Sequence, residues 1–261
     1  MFKKLHLNLK NYKSGGNSPC LSEPVSPEER IIYKLPPEYS GSESHQKWDG
    51  YIPPCTLDAK EADHVFPIQT ANIKVNNLYN GIEHCSDRWI ELACETALKS
   101  VQEKGGPFGA VILQLDKETN QVIRYWKNFN QVTLTNDPTA HAEVMAIRSA
   151  CKSLGVFNLG EIKKEDALLD QPGELSYCII YSSSEPCPMC YSAICWANLK
   201  VLLFAATRFD AAVQGVNFSD EEIYNELATP YPDRNLKVLQ CTAGNSLDAF
   251  NLWKRSAKIT Y

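Results

Sequence analysis

The sequence has no apolar run long enough to cross a bilayer. The longest, such as Val201 to Ala206, fall far short of the roughly 20 residues that a spanning helix needs. It has no secretory core either, because Met1 to Gly16 is interrupted by Lys3, Lys4, Asn8, Lys10 and Lys13. Arginine is missing before Arg30, which argues against an organelle-targeting leader. Positive charge is not in excess. The formal net charge is -5, so the chain as a whole gives a polyanion no electrostatic attraction, and a nucleic-acid partner is not expected. No internal repeat is present. What these absences leave is a cytoplasmic globular protein, long enough for one sizeable α/β domain and an appendage.

What is present changes along the chain. Residues 1–80 hold eight of the fifteen prolines, and a polar stretch runs from Ser14 to Pro19. Proline at that density excludes long helices and central strands. Ile31, Ile32 and Tyr33, and then Trp48, Tyr51 and Ile52, are apolar enough to dock, which predicts an extended, partly ordered arm. Composition fits a disordered tail equally well.

Residues 81–261 read as the main domain. Trp89, Ile90, Ala93, Ala97 and Val101 recur at helical spacing after Ser86 as N-cap, with Gly105 and Gly106 as a stop. Phe108 to Leu115 and Val122 to Trp126 read as a hairpin. Ala140 to Leu154 reads as a helix with Val144, Ile147 and Cys151 on its apolar face. Residues 158–176 form a charged loop. Strands follow over Tyr177 to Tyr181, Val201 to Ala206 and Leu236 to Cys241. Helices are expected over Cys187 to Ala197, Glu221 to Leu227 and Leu247 to Lys258. Strands alternating with helices, opened by a hairpin, predict a layered α/β domain with a mixed sheet.

Two segments carry chemistry. His141-Ala142-Glu143 opens one helix, and Pro186-Cys187-Pro188-Met189-Cys190 opens another. Two cysteines at this spacing on a helix start turn both sulfurs to one side, and the free N–H groups there favour thiolates. His141 supplies a third ligand. Three protein ligands leave a fourth zinc position open, as in a catalytic site, whereas a structural zinc needs four. Glu143 is close enough to serve a water there as a proton carrier. Cys-x-x-Cys alone would also fit a structural or redox pair. However, the chain has no second such pair, and no histidine other than His141 follows His84. H-x-E with P-C-x-x-C is the pattern of zinc nucleobase deaminases. Of the remaining cysteines, Cys94, Cys151, Cys178 and Cys195 read as packing residues.

Asn136 to Arg148 and Ser184 to Cys190 resemble the cytidine-deaminase-like superfamily. Gly105 to Ala110, Ala193 to Ala197, Phe209 to Ala212, Ile223 to Glu226 and the ending Trp253 to Tyr261 are similar to the bacterial-type guanine deaminases within it. The resemblance spans about residues 86–261. It implies a three-layer α/β/α fold with a five-stranded mixed sheet. It also implies zinc on His141, Cys187 and Cys190, with Glu143 as proton shuttle and Glu226 as a second catalytic carboxylate. Guanine would lie against Phe108 and bond to Asn130 and Asp220, with Tyr261 closing the pocket. A homodimer is implied, exchanging its C-terminal segments. The readings left beside it are guanosine deamination, tRNA adenosine deamination and a zinc-stabilised interaction protein without catalysis. The chain departs from the family in three places: Ser184 stands where cysteine is usual, the 158–176 loop is longer, and the arm has no counterpart.

Overall fold

The computed structural model describes residues 77–213 and 215–256. Most of the Pro-rich arm and Tyr261 lie outside those residues. A 3-10 turn, Asn77–Tyr79, precedes helix α1, Arg88–Gln102. Asp87, one residue beyond the expected Ser86, caps α1: its Oδ1 accepts from the N–H groups of Trp89 at 2.8 Å and Ile90 at 3.1 Å. A carboxylate there also meets the positive end of the helix dipole.

The hairpin forms as β1, Gly109–Asp116, and β2, Val122–Phe129. Asp116 Oδ1 shapes the turn by accepting from Glu118 N, Thr119 N and Thr119 Oγ1. Then come the short α2, Val132–Thr135; α3, Ala142–Leu154; β3, Ile162–Lys163; β4, Leu175–Ser184; α4, Pro188–Trp196; and β5, Leu202–Ala206. The sheet is five-stranded. β1 runs antiparallel to both β2 and β4, while β3 (antiparallel) and β5 (parallel) share the other edge of β4.

All eight residues of β1 are buried, and their alternation divides the core. Ala110 and Ile112 face α3 and α4, among Trp126, Ala146, Leu154, Ile180 and Ile194. Val111, Leu113 and Leu115 face α1, among Trp89, Ala93, Ile179 and Tyr181. The result is the expected α/β/α sandwich. Gly109 is needed where α1 crosses, since a Cβ there would lie 2.4 Å from Ala93 O and 2.5 Å from Ala97 N. Trp126 Nε1 donates to Ser153 Oγ at 3.0 Å, tying β2 to α3.

Several expectations are corrected. Ile147 and Cys151 of α3 pack, partly buried, against the core as expected, whereas the fully buried positions are mostly small residues, among them Ala142, Ala146, Ser149, Ala150 and Ser153, which allow close helix-to-sheet packing; Val144 is not part of that cluster. Val101, Cys94 and Cys195 are exposed. The 158–176 loop contributes β3, and Gln171 fastens it by accepting from Gln114 Nε2 at 3.1 Å and Ser176 Oγ at 2.8 Å. Leu236 to Cys241 is not a strand, so β3 makes up the five. The last segment instead holds α5, Arg208–Ala212; α6, Glu221–Ala228; and α7, Asp248–Ser256.

Candidate active site

Both motif segments deliver a ligand just ahead of a helix. His141 precedes α3 and Cys187 precedes α4, each with extended backbone. Pro188 takes the first position of α4, where a missing N–H costs nothing. Cys190 follows within the first turn. Both helices pack on one face of the sheet, so their starting ends converge. His141 Nδ1 lies 3.6 Å from Cys187 Sγ and 3.5 Å from Cys190 Sγ, and the three ligand atoms lie within 4.8 Å of one another. Ligands of a tetrahedral zinc, with Zn–S near 2.3 Å and Zn–N near 2.05 Å, sit about 3.5 Å apart. The spacing and the donor set therefore fit the ion.

The electrostatics suit a cation. The hydrogen bond from the Cys190 thiol, joined by that from His141, lowers the Cys187 thiol to about 4 and makes it a thiolate at neutral pH. The same bond raises Cys190. Two sulfurs competing for one proton are a pair that a divalent cation resolves by displacing it. The Cys187 thiolate also raises the pKa of His141.

Glu143 lies on the first turn of α3 and is only 5% exposed. Burial raises its carboxyl pKa, opposed by hydrogen bonds from its own backbone, Cys190 and Ser182. Ser182 Oγ donates to Glu143 Oε1 at 3.0 Å between two buried groups. The sequence reading missed Ser182. Its signal was strand alternation: Cys178 and Ile180 face α3, and Ser182 is the next position on that side.

Asn130 and Phe108 are neighbours, joined by a bond from Asn130 N to Phe108 O at 3.0 Å. Asn130 is buried, and its Oδ1 accepts from Val132 N at 3.2 Å. Gly106 makes room for it, since a Cβ there would lie 2.9 Å from Asn130 Cγ. The ring of Phe218 meets Phe108 edge-on at 5.0 Å, a contact that spacing did not reveal. Asp220 stands at the N-cap position of α6 but its side chain makes no capping hydrogen bond. Burial raises its pKa, Arg208 opposes this, and Cys187 and Glu185 add to it, so its carboxyl feels the thiolate corner. The carboxylate of Glu226 accepts from Asn235 N at 2.9 Å and Leu236 N at 3.5 Å, holding the following loop.

Residues 83–206 match the cytidine and deoxycytidylate deaminase zinc-binding region. The chain is similar to the guanine deaminase of Bacillus subtilis (strain 168), 41% identical over 170 residues, which are 65% of this chain and 92% of that one. The X-ray structure of guanine deaminase from Bacillus subtilis superposes with a TM-score of 0.54 at 39% identity, over 67% of this chain and 96% of that one. A tRNA-specific adenosine deaminase of Buchnera aphidicola subsp. Baizongia pistaciae is 32% identical over 125 residues, and the match spans only 63% of it. The match to the zinc-binding region identifies the cation as zinc. The likeness to the guanine deaminase extends well beyond that region, and the chain belongs to the guanine deaminase family of the cytidine-deaminase-like superfamily.

Proposed function

We propose that this protein hydrolyses guanine to xanthine and ammonia in the cytoplasm, with zinc held by His141, Cys187 and Cys190. The observation that carries the reading is the buried Glu143 carboxyl beside that ligand triad, in a chain 41% identical to a guanine deaminase. Zinc at such a centre lowers the pKa of a water to about 7. Glu143 would take one proton from a water at that centre as the water oxygen adds to C2 of guanine, and give it to the adjoining ring nitrogen. It would then carry the remaining proton of the added hydroxyl to the amine as the C2–N bond breaks. Water and guanine are thereby balanced by xanthine and ammonia. Ser182 holds the carboxyl in place through these transfers.

Guanine offers N1–H and an amino group as donors, so a carboxylate acceptor suits it. Asp220 fits this part, with Asn130 fixing the ring edge and Phe108 lying against its face. Glu226 and Tyr261 belong to the C-terminal segment, which we assign to closing the pocket.

That segment completes the site from a second copy of the chain. The support is that α5, α6 and α7 bury no side chain, while Phe250, Leu252 and Trp253 on α7 are all exposed. Apolar surface of this kind calls for a partner. The test is ammonia release by the zinc-loaded protein from guanine, guanosine, adenine, cytosine and a tRNA anticodon stem-loop side by side. Turnover of guanine above the rest supports the reading; a preference for guanosine or for a tRNA anticodon stem-loop overturns it.

A further inference from the structure

The zinc-binding region begins at residue 83, yet a residue before it reaches the metal corner. Tyr79 closes the 3-10 turn and is 7% exposed. Its ring lies 6.3 Å from that of Phe204 on β5 and 6.3 Å from that of Phe209 on α5. These two contacts, on separate elements, fix the direction of the phenol. Its hydroxyl donates to Glu185 Oε2 at 2.5 Å. Burial, with the Glu185 carboxylate beside it, keeps the phenol protonated far above neutral pH, so it remains a donor.

Glu185 is the first residue after β4 and stands two residues before Cys187. Its N–H donates to Ala206 O at 2.7 Å, and its Oε2 also accepts from Arg208 N at 3.0 Å. The corner is therefore held by the end of β5, the start of α5 and Tyr79. Only Glu185 and Pro186 separate the last strand residue from the first sulfur ligand. Freedom gained at Glu185 passes almost directly to Cys187, whereas Cys190 is held inside α4.

We propose that Tyr79 is a positioning residue of the metal site: its phenol fastens the segment ahead of the family-matched region to the Glu185 corner and so keeps Cys187 in register with His141 and Cys190. The proposal rests on the zinc-ligand assignment made above. Partners that orient a ligand-bearing group are commonly worth 10–100-fold in metal affinity.

The test uses the full chain. Zinc release to a chromogenic chelator is timed for the native protein, Tyr79→Phe, Glu185→Ala and the double variant. The visible spectrum of each cobalt-substituted form is recorded alongside. Tyr79→Phe should release zinc about tenfold faster, with a changed cobalt spectrum and a melting temperature that falls only as far as the weaker zinc binding and one lost hydrogen bond account for. Glu185→Ala should do the same, and the double variant no more than either alone. Glu185→Gln keeps a side-chain oxygen that can accept from Tyr79 and Arg208, and should behave as the native protein. Unchanged release and spectrum in Tyr79→Phe, or additive effects in the double variant, would overturn the proposal while leaving the site assignment intact. A native protein that holds no zinc would overturn both.

Discussion

Residues up to Ala206, the end of β5, and those after it follow different rules of burial. The earlier part closes on itself: two apolar clusters fill both faces of the sheet, and the ligand triad lies at the ends of two helices that belong to that core. Among the described residues after Ala206, none is buried. Its helices nevertheless carry large apolar side chains, of which Phe250 is 66% exposed. The difference teaches that the metal ligands and Glu143 are all supplied by the self-contained earlier part, whereas closing the pocket over the substrate is the role proposed for the later segment.

The hardest test of self-containment is the Glu143→Ala variant. Zinc content should stay at the native level, because Glu143 is not a ligand, while kcat for guanine falls about a thousandfold. Metal analysis beside ammonia release separates the two effects. The comparison is next sharpened by two tryptophans. Trp126→Ala, in the closed core, should cost about 3–5 kcal/mol of stability in urea unfolding. Trp253→Ala, on α7, should change the stability of the subunit fold by under about 0.5 kcal/mol. It should instead weaken self-association about tenfold or more in sedimentation, as an interface tryptophan would. Equal effects of the two on unfolding would erase the distinction.

The legible part of the sequence was the part whose reasons are local. The hairpin, α3, α4 and β5 were readable because turn residues, helical spacing and apolar runs act over a few neighbours. The triad was readable because its ligands sit at fixed offsets. The run Leu236 to Cys241 misled because its alternation says nothing about whether a neighbouring strand is there to pair with it. The face of α3 was legible only in part: Ile147 and Cys151 mark its apolar side, whereas the small residues that let the helix approach the sheet look neutral in sequence. Ser182 and Tyr79 escaped notice because their partners, Glu143 and Glu185, are 39 and 106 residues away.

Ser182→Ala separates positioning from ligation within the earlier part. It leaves all three ligands in place, so zinc content and KM should hold, while kcat falls about tenfold, the usual worth of one hydrogen bond to a charged group. Ser182→Thr keeps the hydroxyl and should recover much of the loss. A change in KM alone would reassign Ser182 to substrate binding.

Asp220 tests the other side of the comparison, since it comes from the exposed segment yet feels the thiolate corner. Asp220→Asn should raise KM for guanine several-fold, about 1 kcal/mol, with kcat and stability nearly unchanged. The pH dependence has a definite sign. In the proposed role the ionised carboxylate accepts from guanine's N–H groups, and burial raises its pKa above the ordinary carboxylate value. Guanine binding should therefore weaken as pH falls through that raised pKa, at a higher pH than an exposed aspartate would give. A side-chain amide does not titrate in this range, so in the Asp220→Asn variant this limb of the KM profile should flatten. If the limb persists unchanged, the titrating group lies in the self-contained part, and the later segment supplies cover without chemistry.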